Sequence, residues 1–229
     1  MGDLSYRQMQ SALMDKLEST AALRTAVPFC NDFESDNRFC LTCVAFAPSA
    51  LASRIEKEII APLKVAAGKH FYYPAQSLHL TMQNIRTISD PPKFSMDDVL
   101  VVAEIIKVLA TQFRPFEFEI DGFLKLPTSL ALRAYSEPRL MEFVRKFRDE
   151  LVAAGIPDDK EYISNDVVFG NITICRYSEE PSREFIQALA KSEFSFTSKF
   201  TVEELALIST NAVCQPSATK IFQTVSFSK

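Results

Sequence analysis

The sequence predicts an α+β protein of two lobes, a duplicated β-α-β-α-β arrangement with mostly antiparallel sheets around a central cleft. Three observations lead there. Strand-like runs and amphipathic helical runs alternate along most of the chain, and the same order occurs twice. Two of the strand-like runs, one in each half, carry polar side chains on one face and apolar side chains on the other. The composition, 47% hydrophobic and 24% charged over 229 residues, is that of a globular chain long enough for one large domain or two lobes on a shared core.

Residues 1–37 read as an N-terminal helix and loop, and residues 38–229 as one bilobal domain with lobes of about 38–127 and 128–229. The leading helix is expected over 5–23, because Ser5 and Gln8 have capping-box spacing and Leu13 and Leu17 fall on one face. An Asn- and Asp-rich loop follows at 31–37. The first lobe then reads as strand 39–46, helix 49–63, strand 77–85, helix 95–112 and strand 116–126. Ser95 and Asp98 cap the second of these helices, and Val99, Val102, Ile106 and Leu109 make its apolar stripe. In strand 116–126, Phe116, Phe118 and Ile120 alternate with Glu117 and Glu119, so one face is wet.

The second lobe reads as strand 129–135, helix 136–154, strand 167–177, helix 182–191, and strands near 199–209 and 220–227. Leu140, Phe143, Val144, Phe147 and Leu151 form the buried face of its long helix, and Gly155 stands where that helix should stop.

Several classes of function are argued against. The formal net charge is -4 and the pI near 5.4, whereas proteins that grip long nucleic acid carry a basic stripe. A long duplex is therefore not expected, and a phosphate-bearing ligand should be short and held in a local pocket. The odd set of cysteines, Cys30, Cys40, Cys43, Cys175 and Cys214, with no secretory leader, points to reduced thiols in the cytoplasm. Asp15, Lys16 and Glu18 interrupt any apolar leader. Cys40 and Cys43 form a C-x-x-C, but they lie in a strand-like run and no second pair completes a zinc site, so they read as small core residues. The longest apolar run, 99–110, carries Glu104 and Lys107 and reads as a buried helix face rather than a membrane span. A monomer is expected.

The chemistry centres on two strands. His79 lies in SLHLTMQNI, where His79, Thr81 and Gln83 share one face and Leu78, Leu80 and Met82 the other. The matching strand of the second lobe, VVFGNITICRY, puts Asn171, Thr173 and Cys175 on one face and Ile172 and Ile174 on the other. His-x-Thr and Asn-x-Thr thus occupy equivalent places. His70, in GKHFYYP, is the only other imidazole, and nothing in its spacing puts it in the cleft.

On these residues the sequence resembles the two-histidine phosphoesterases, a superfamily that includes the bacterial RNA 2',3'-cyclic phosphodiesterases also labelled 2'-5' RNA ligases. The resemblance runs from about Arg38 to Phe227. It is carried by YYPAQSLHLT, with His79-Leu80-Thr81, and by GNITICR, with Arg176 where relatives frequently carry arginine. The chain departs at Asn171, which stands where the second histidine belongs.

The resemblance implies a cleft in which one histidine acts as general base and the other protonates the leaving oxygen, while two hydroxyl side chains hold the phosphate. No metal or organic cofactor is implied. By this reading His79 is the catalytic imidazole, Thr81, Asn171, Thr173 and Arg176 bind phosphate, and the ligand is a short RNA or nucleotide with a cyclic phosphate. Imidazole titrates near neutral pH and exchanges protons within a turnover. The asparagine amide does not. Two alternatives to an active phosphodiesterase therefore stand: a phosphate- or nucleotide-binding module, and a scaffold that uses only the fold. Tyr72 and Tyr73 are candidates to stack on a base, with buried loop anchors as the other reading.

Overall fold

The computed structural model of the protein describes residues 5–20, 23–192 and 196–228. In chain order the first elements are α1 (Tyr6–Ser19), β1 (Phe39–Phe46), α2 (Ser49–Ile55), α3 (Ala61–Ala66), β2 (Phe71–Tyr72), β3 (His79–Ser89) and α4 (Met96–Ala110). A π turn at Glu56–Ile60 links α2 to α3. Then come β4 (Phe116–Leu126), β5 (Ser129–Ser136), α5 (Arg139–Ala153), β6 (Gly170–Arg176), α6 (Arg183–Ser192), β7 (Thr197–Val202), β8 (Glu204–Thr210) and β9 (Lys220–Ser226). The α+β class and the doubled element order are as expected.

All nine strands belong to one antiparallel sheet in the order β7-β4-β5-β6-β3-β1-β8-β9, with β2 paired to β6 beside this path. The order corrects the lobe boundary. β4, from the first half of the chain, pairs with β5 and β7, while β8, from the second half, pairs with β1 and carries β9 on its other side. The lobes therefore exchange strands across the expected 127/128 division and are not contiguous halves.

Strand 199–209 is in fact two strands. β7 and β8 are joined by Glu203 alone, yet β7 ends one side of the strand order and β8 lies near the other. Two residues of extended chain span about 7 Å. The sheet must curl until its two ends approach, and the Phe227 N–H donating to the Glu203 carbonyl at 2.9 Å ties the end of β9 to the same link.

Capping residues act as read. Ser5 with Gln8 and Ser95 with Asp98 each form a reciprocal capping box. α1 ends at Ser19, short of residue 23, and residues 21 and 22 lie outside the described residues. α5 begins at Arg139 rather than at 136, because Pro138 disfavours helical geometry at Glu137 and β5 runs on to Ser136. At its far end Gly155 adopts φ +75°, and the Gly155 and Ile156 N–H groups donate back to Val152 and Leu151. That pair of bonds is the Schellman arrangement, and it turns the chain sharply into the segment 156–169.

The core lies between the curled sheet and the apolar stripes of α4 and α5. Val99, Val102, Ile106 and Leu109 are buried from one helix, and Leu140, Phe143, Val144, Phe147 and Leu151 from the other. Phe116, Phe143 and Phe227 meet edge to face at centroid distances of 5.1–5.9 Å. Among the described residues no helix is long and apolar enough to cross a membrane.

Candidate functional site

The two halves of the sheet meet at β3 and β6 through one residue pair, Leu80 with Ile172. In an antiparallel pair the residues flanking such a contact point to the opposite face and lie beside one another. Thr81 therefore falls next to Asn171, and His79 next to Thr173. All four line a single cavity of about 380 Å³, and Arg176 lines it too. Gly170 makes this closeness possible: a Cβ there would stand 2.8 Å from Leu80 Cδ2 and 2.8 Å from Phe118 Cε1.

The polar ends of Thr81, Asn171 and Thr173 have no hydrogen-bond partner among the described residues. They are unspent donors facing a cavity. Arg176 donates from Nε to the Tyr73 hydroxyl at 3.3 Å, which leaves its two Nη groups free to engage an anion.

His79 is held by its own strand entry. Its Nδ1 lies 2.7 Å from the Ser77 carbonyl, which can only accept, so Nδ1 carries the proton and Nε2 is the ring's acceptor. The Cys214 thiol lies against the same imidazole. Burial opposes charge on His79, but the Cys214 thiolate and the Ser77 carbonyl outweigh it and raise the histidine pKa. Burial likewise opposes the thiolate of Cys214, yet the His79 charge and the Thr219 and Thr210 hydroxyls lower its pKa overall.

Three expected placements are corrected. Cys175 is buried and absent from the cavity wall: a register shift between Leu130 and Ala131 on the partner strand inserts an extra residue into β6 after Thr173, which brings Arg176 to the cavity instead. Tyr72 is buried, its hydroxyl donating to the Leu63 and Ala67 carbonyls at 3.0 Å, so no base can reach its ring. Tyr73 does line the cavity, but its ring is only 2% exposed and its hydroxyl donates to the Ala212 carbonyl, so it is a floor that positions Arg176 rather than a stacking platform.

Gln83 is also at the cavity, as its strand face implies, but its amide is fully engaged. Nε2 donates to Asp158, Tyr162 and the Asn84 carbonyl, and Oε1 accepts from Arg148 Nε at 3.1 Å. His70 packs on Tyr177 and Phe185 outside the cavity, and burial lowers its pKa.

The sequence reading missed two contributing segments. Lys160 and Tyr162, from the segment after Gly155, line the cavity, as do Leu13 and Leu17 of α1 and Leu23, Thr25, Ala26 and Val27 that follow. Only the Leu13–Leu17 spacing, which marks an apolar helix face, signals any of these in the sequence. The loop residues are brought in by tertiary contacts: Asp159 accepts from the Thr87 N–H and hydroxyl, and the Glu161 N–H donates to the Thr25 hydroxyl.

No protein-family model matches the sequence, and no curated protein matches it. Solved structures do. The structure of E. coli LigT complexed with 3'-AMP superposes with a TM-score of 0.55 at 16% identity, over 84% of this chain and 100% of that one. The chain has the LigT-type fold. A second LigT structure, complexed with phosphate, gives a TM-score of 0.52 at 15% identity over 85% of this chain and 100% of LigT. TT0787 of Thermus thermophilus gives 0.54 at 18% identity, over 83% of this chain and 97% of its own. LigT is thus spanned whole, while this chain carries additional residues beyond it.

Proposed function

We propose that the cleft takes a phosphodiester of small nucleotide size, a 2',3'-cyclic phosphate or a short 2'-5'-linked RNA, and that Asn171 has altered or weakened the hydrolytic chemistry. One observation carries this reading. His79 and Thr81 on one strand and Asn171 and Thr173 on the next converge across the Leu80–Ile172 contact, with three of the four polar groups unspent. E. coli LigT, whose fold the chain shares, is complexed with 3'-AMP in one structure and with phosphate in another.

In the proposed arrangement the Thr81 and Thr173 hydroxyls, the Asn171 amide and the Arg176 guanidinium donate to phosphoryl oxygens and stabilise charge as it builds. His79 Nε2, with Nδ1 fixed on Ser77, takes the proton of the attacking water. Asn171 lies where a second imidazole would give a proton back, and an amide cannot. Losing one positioned acid costs about 10²–10⁴ in rate. The same residue favours the second reading, a nucleotide-binding module that retains the pocket without turnover.

Hydrolysis of a 2',3'-cyclic nucleotide and of a short oligonucleotide ending in such a phosphate by wild type, His79→Ala and Asn171→His decides between them. Slow wild-type cleavage lost in His79→Ala and raised in Asn171→His supports the enzyme. Binding without cleavage in any of the three supports the module. If wild type binds neither ligand and Asn171→His gains nothing, both readings fail.

A further inference from the structure

Asn171 leaves the leaving oxygen without an acid on its own strand, and two cations that the strand motifs do not supply line the cavity, Arg148, which faces Asp158 at 3.7 Å, and Lys160. Lys160 reaches it from the segment 156–169. The carboxylates on either side of Lys160 in sequence are turned elsewhere. Asp158 accepts from Gln83 Nε2 at 3.0 Å and faces Arg148 at 3.7 Å. Asp159 accepts from the Thr87 N–H at 2.6 Å and pairs with Lys93 at 3.2 Å. Glu161 accepts from the Arg24 N–H at 3.0 Å and faces the Arg24 guanidinium at 3.8 Å.

The Lys160 ammonium is left with one hydrogen bond, from Nζ to the Thr25 carbonyl at 3.2 Å, and no carboxylate within ion-pair distance among the described residues. An ammonium has three donors, and a part-buried cation is ordinarily paired. Two spare donors beside Arg176, in the cavity that His79 lines, have the chemistry of an anion site left open for its ligand.

Resting on the phosphodiesterase reading above, we propose that Lys160 is the proton donor of this cleft, delivering its proton to the leaving ribose oxygen in place of the absent second histidine. Water attacks phosphorus and gives its proton to His79 Nε2. The bond from phosphorus to one ribose oxygen breaks, its electron pair stays on that oxygen, and the oxygen takes a proton from Lys160 Nζ. The product is a phosphomonoester with a free ribose hydroxyl, and both side chains return to their starting states by proton exchange with water.

The surroundings suit Lys160 to the task. Burial and then the Arg176 charge lower its pKa, and the nearby Cys40 thiol and Asp159 only partly oppose this. A lysine at its ordinary value of about 10.4 holds its proton too tightly for efficient transfer near neutrality. The charged and titratable groups that act on it are Arg176 from β6, Cys40 from β1 and Asp159 from its own segment, while His79 from β3, Arg148 from α5 and Glu161 line the same cavity.

The test follows 2',3'-cyclic AMP hydrolysis against pH in wild type, His79→Ala, Lys160→Arg, Lys160→Met and Asn171→His, with 3'-AMP binding and thermal unfolding measured on each. Arginine keeps the charge but does not release a proton. Lys160→Arg should therefore bind 3'-AMP within a few-fold of wild type yet lose about 10²–10⁴ in rate. The alkaline limb of the wild-type profile should disappear with it, and the Lys160→Arg loss should shrink when Asn171→His is also present.

A Lys160→Arg protein with the wild-type rate and the same alkaline limb overturns the proposal, and a wild-type rate no higher than that of Lys160→Met does so too. In either case cleavage that still depends on His79 leaves the phosphodiesterase reading standing. Failure of that reading looks different: wild type binds no 3'-AMP, and Asn171→His hydrolyses nothing.

Discussion

His79 and His70 are each part of a packed environment, but the two environments push in opposite directions. Around His79, Cys214 and the Ser77 carbonyl outweigh burial and favour the charged ring; around His70, burial dominates and favours the neutral ring. With only two histidines in the chain, proton NMR can follow both. His79 should titrate above the ordinary value of about 6.5 and His70 below it. Cys214→Ala removes the main raising influence on His79 and leaves burial, so its titration should move down while His70 stays put.

The signs carry into stability. His79, raised in the fold, contributes stability that is present below about pH 6.5 and lost as pH rises through its folded value. His70, lowered in the fold, contributes stability that is present above about pH 6.5 and lost as pH falls through its folded value. If Cys214→Ala leaves the His79 titration unmoved, the thiol is not what raises its pKa.

At the scale of the element, the β3–β6 contact depends on a missing side chain. Gly170 has no Cβ, and adding one would press on Leu80 and Phe118, both packed in the core. Overpacking of this kind costs about 1–3 kcal/mol. Gly170→Ala should lower the denaturant midpoint by a corresponding amount without changing the slope of the transition. A variant as stable as wild type would mean that the strands part more freely than their packing implies.

The same elements show what the sequence made legible. His79, Thr81, Asn171 and Thr173 could be assigned to one cleft because a strand alternates faces every residue, and a two-residue period needs no tertiary information. Cys175 defeated that rule, since one extra residue in β6 flips everything after it. The break between β7 and β8 at Glu203 was hidden because V-E-E-L contains neither Gly nor Pro to mark a turn. Lys160 was invisible for a different reason: its place is set by hydrogen bonds that tie a loop with no period of its own to Thr87 of β3 and to Thr25.

For the molecule as a whole, the N-terminal arm forms part of the cleft. α1 lies on β4 and β5, with Met14 buried beneath it and Gln10 Nε2 donating to the Val168 carbonyl at 2.6 Å. The Tyr6 hydroxyl takes up both the N–H and the carbonyl of Val168, which is why β6 starts at Gly170 and not at 167. Leu13 and Leu17 then face the cavity from above the strands. These contacts make α1 one wall of the cleft.

The clamp on that arm is Arg133 of β5, whose side chain is 16% exposed. Its Nη1 meets Asp15 at 2.8 Å, its Nη2 meets Glu18 at 3.0 Å, and its Nε donates to the Phe123 carbonyl at 2.8 Å. Both carboxylates come from α1 and the guanidinium from the sheet, so the arm is docked by charge at the point where Arg133 sits opposite Asn171 in the strand register. Burial opposes charge on Arg133, but the hydrogen bonds to Glu18 and Asp15 outweigh it and raise its pKa.

Arg133→Met keeps the apolar stem and removes the clamp. Because Asp15 is largely exposed, the loss should be moderate, about 1–2 kcal/mol. That corresponds to roughly tenfold faster hydrogen exchange of the α1 amides, with the amides of β3 and β6 still protected. Equal acceleration in all three elements would mean that α1 is part of the same cooperative unit as the sheet and cannot loosen by itself. Acceleration confined to α1 would make the arm a separately movable wall of the cleft.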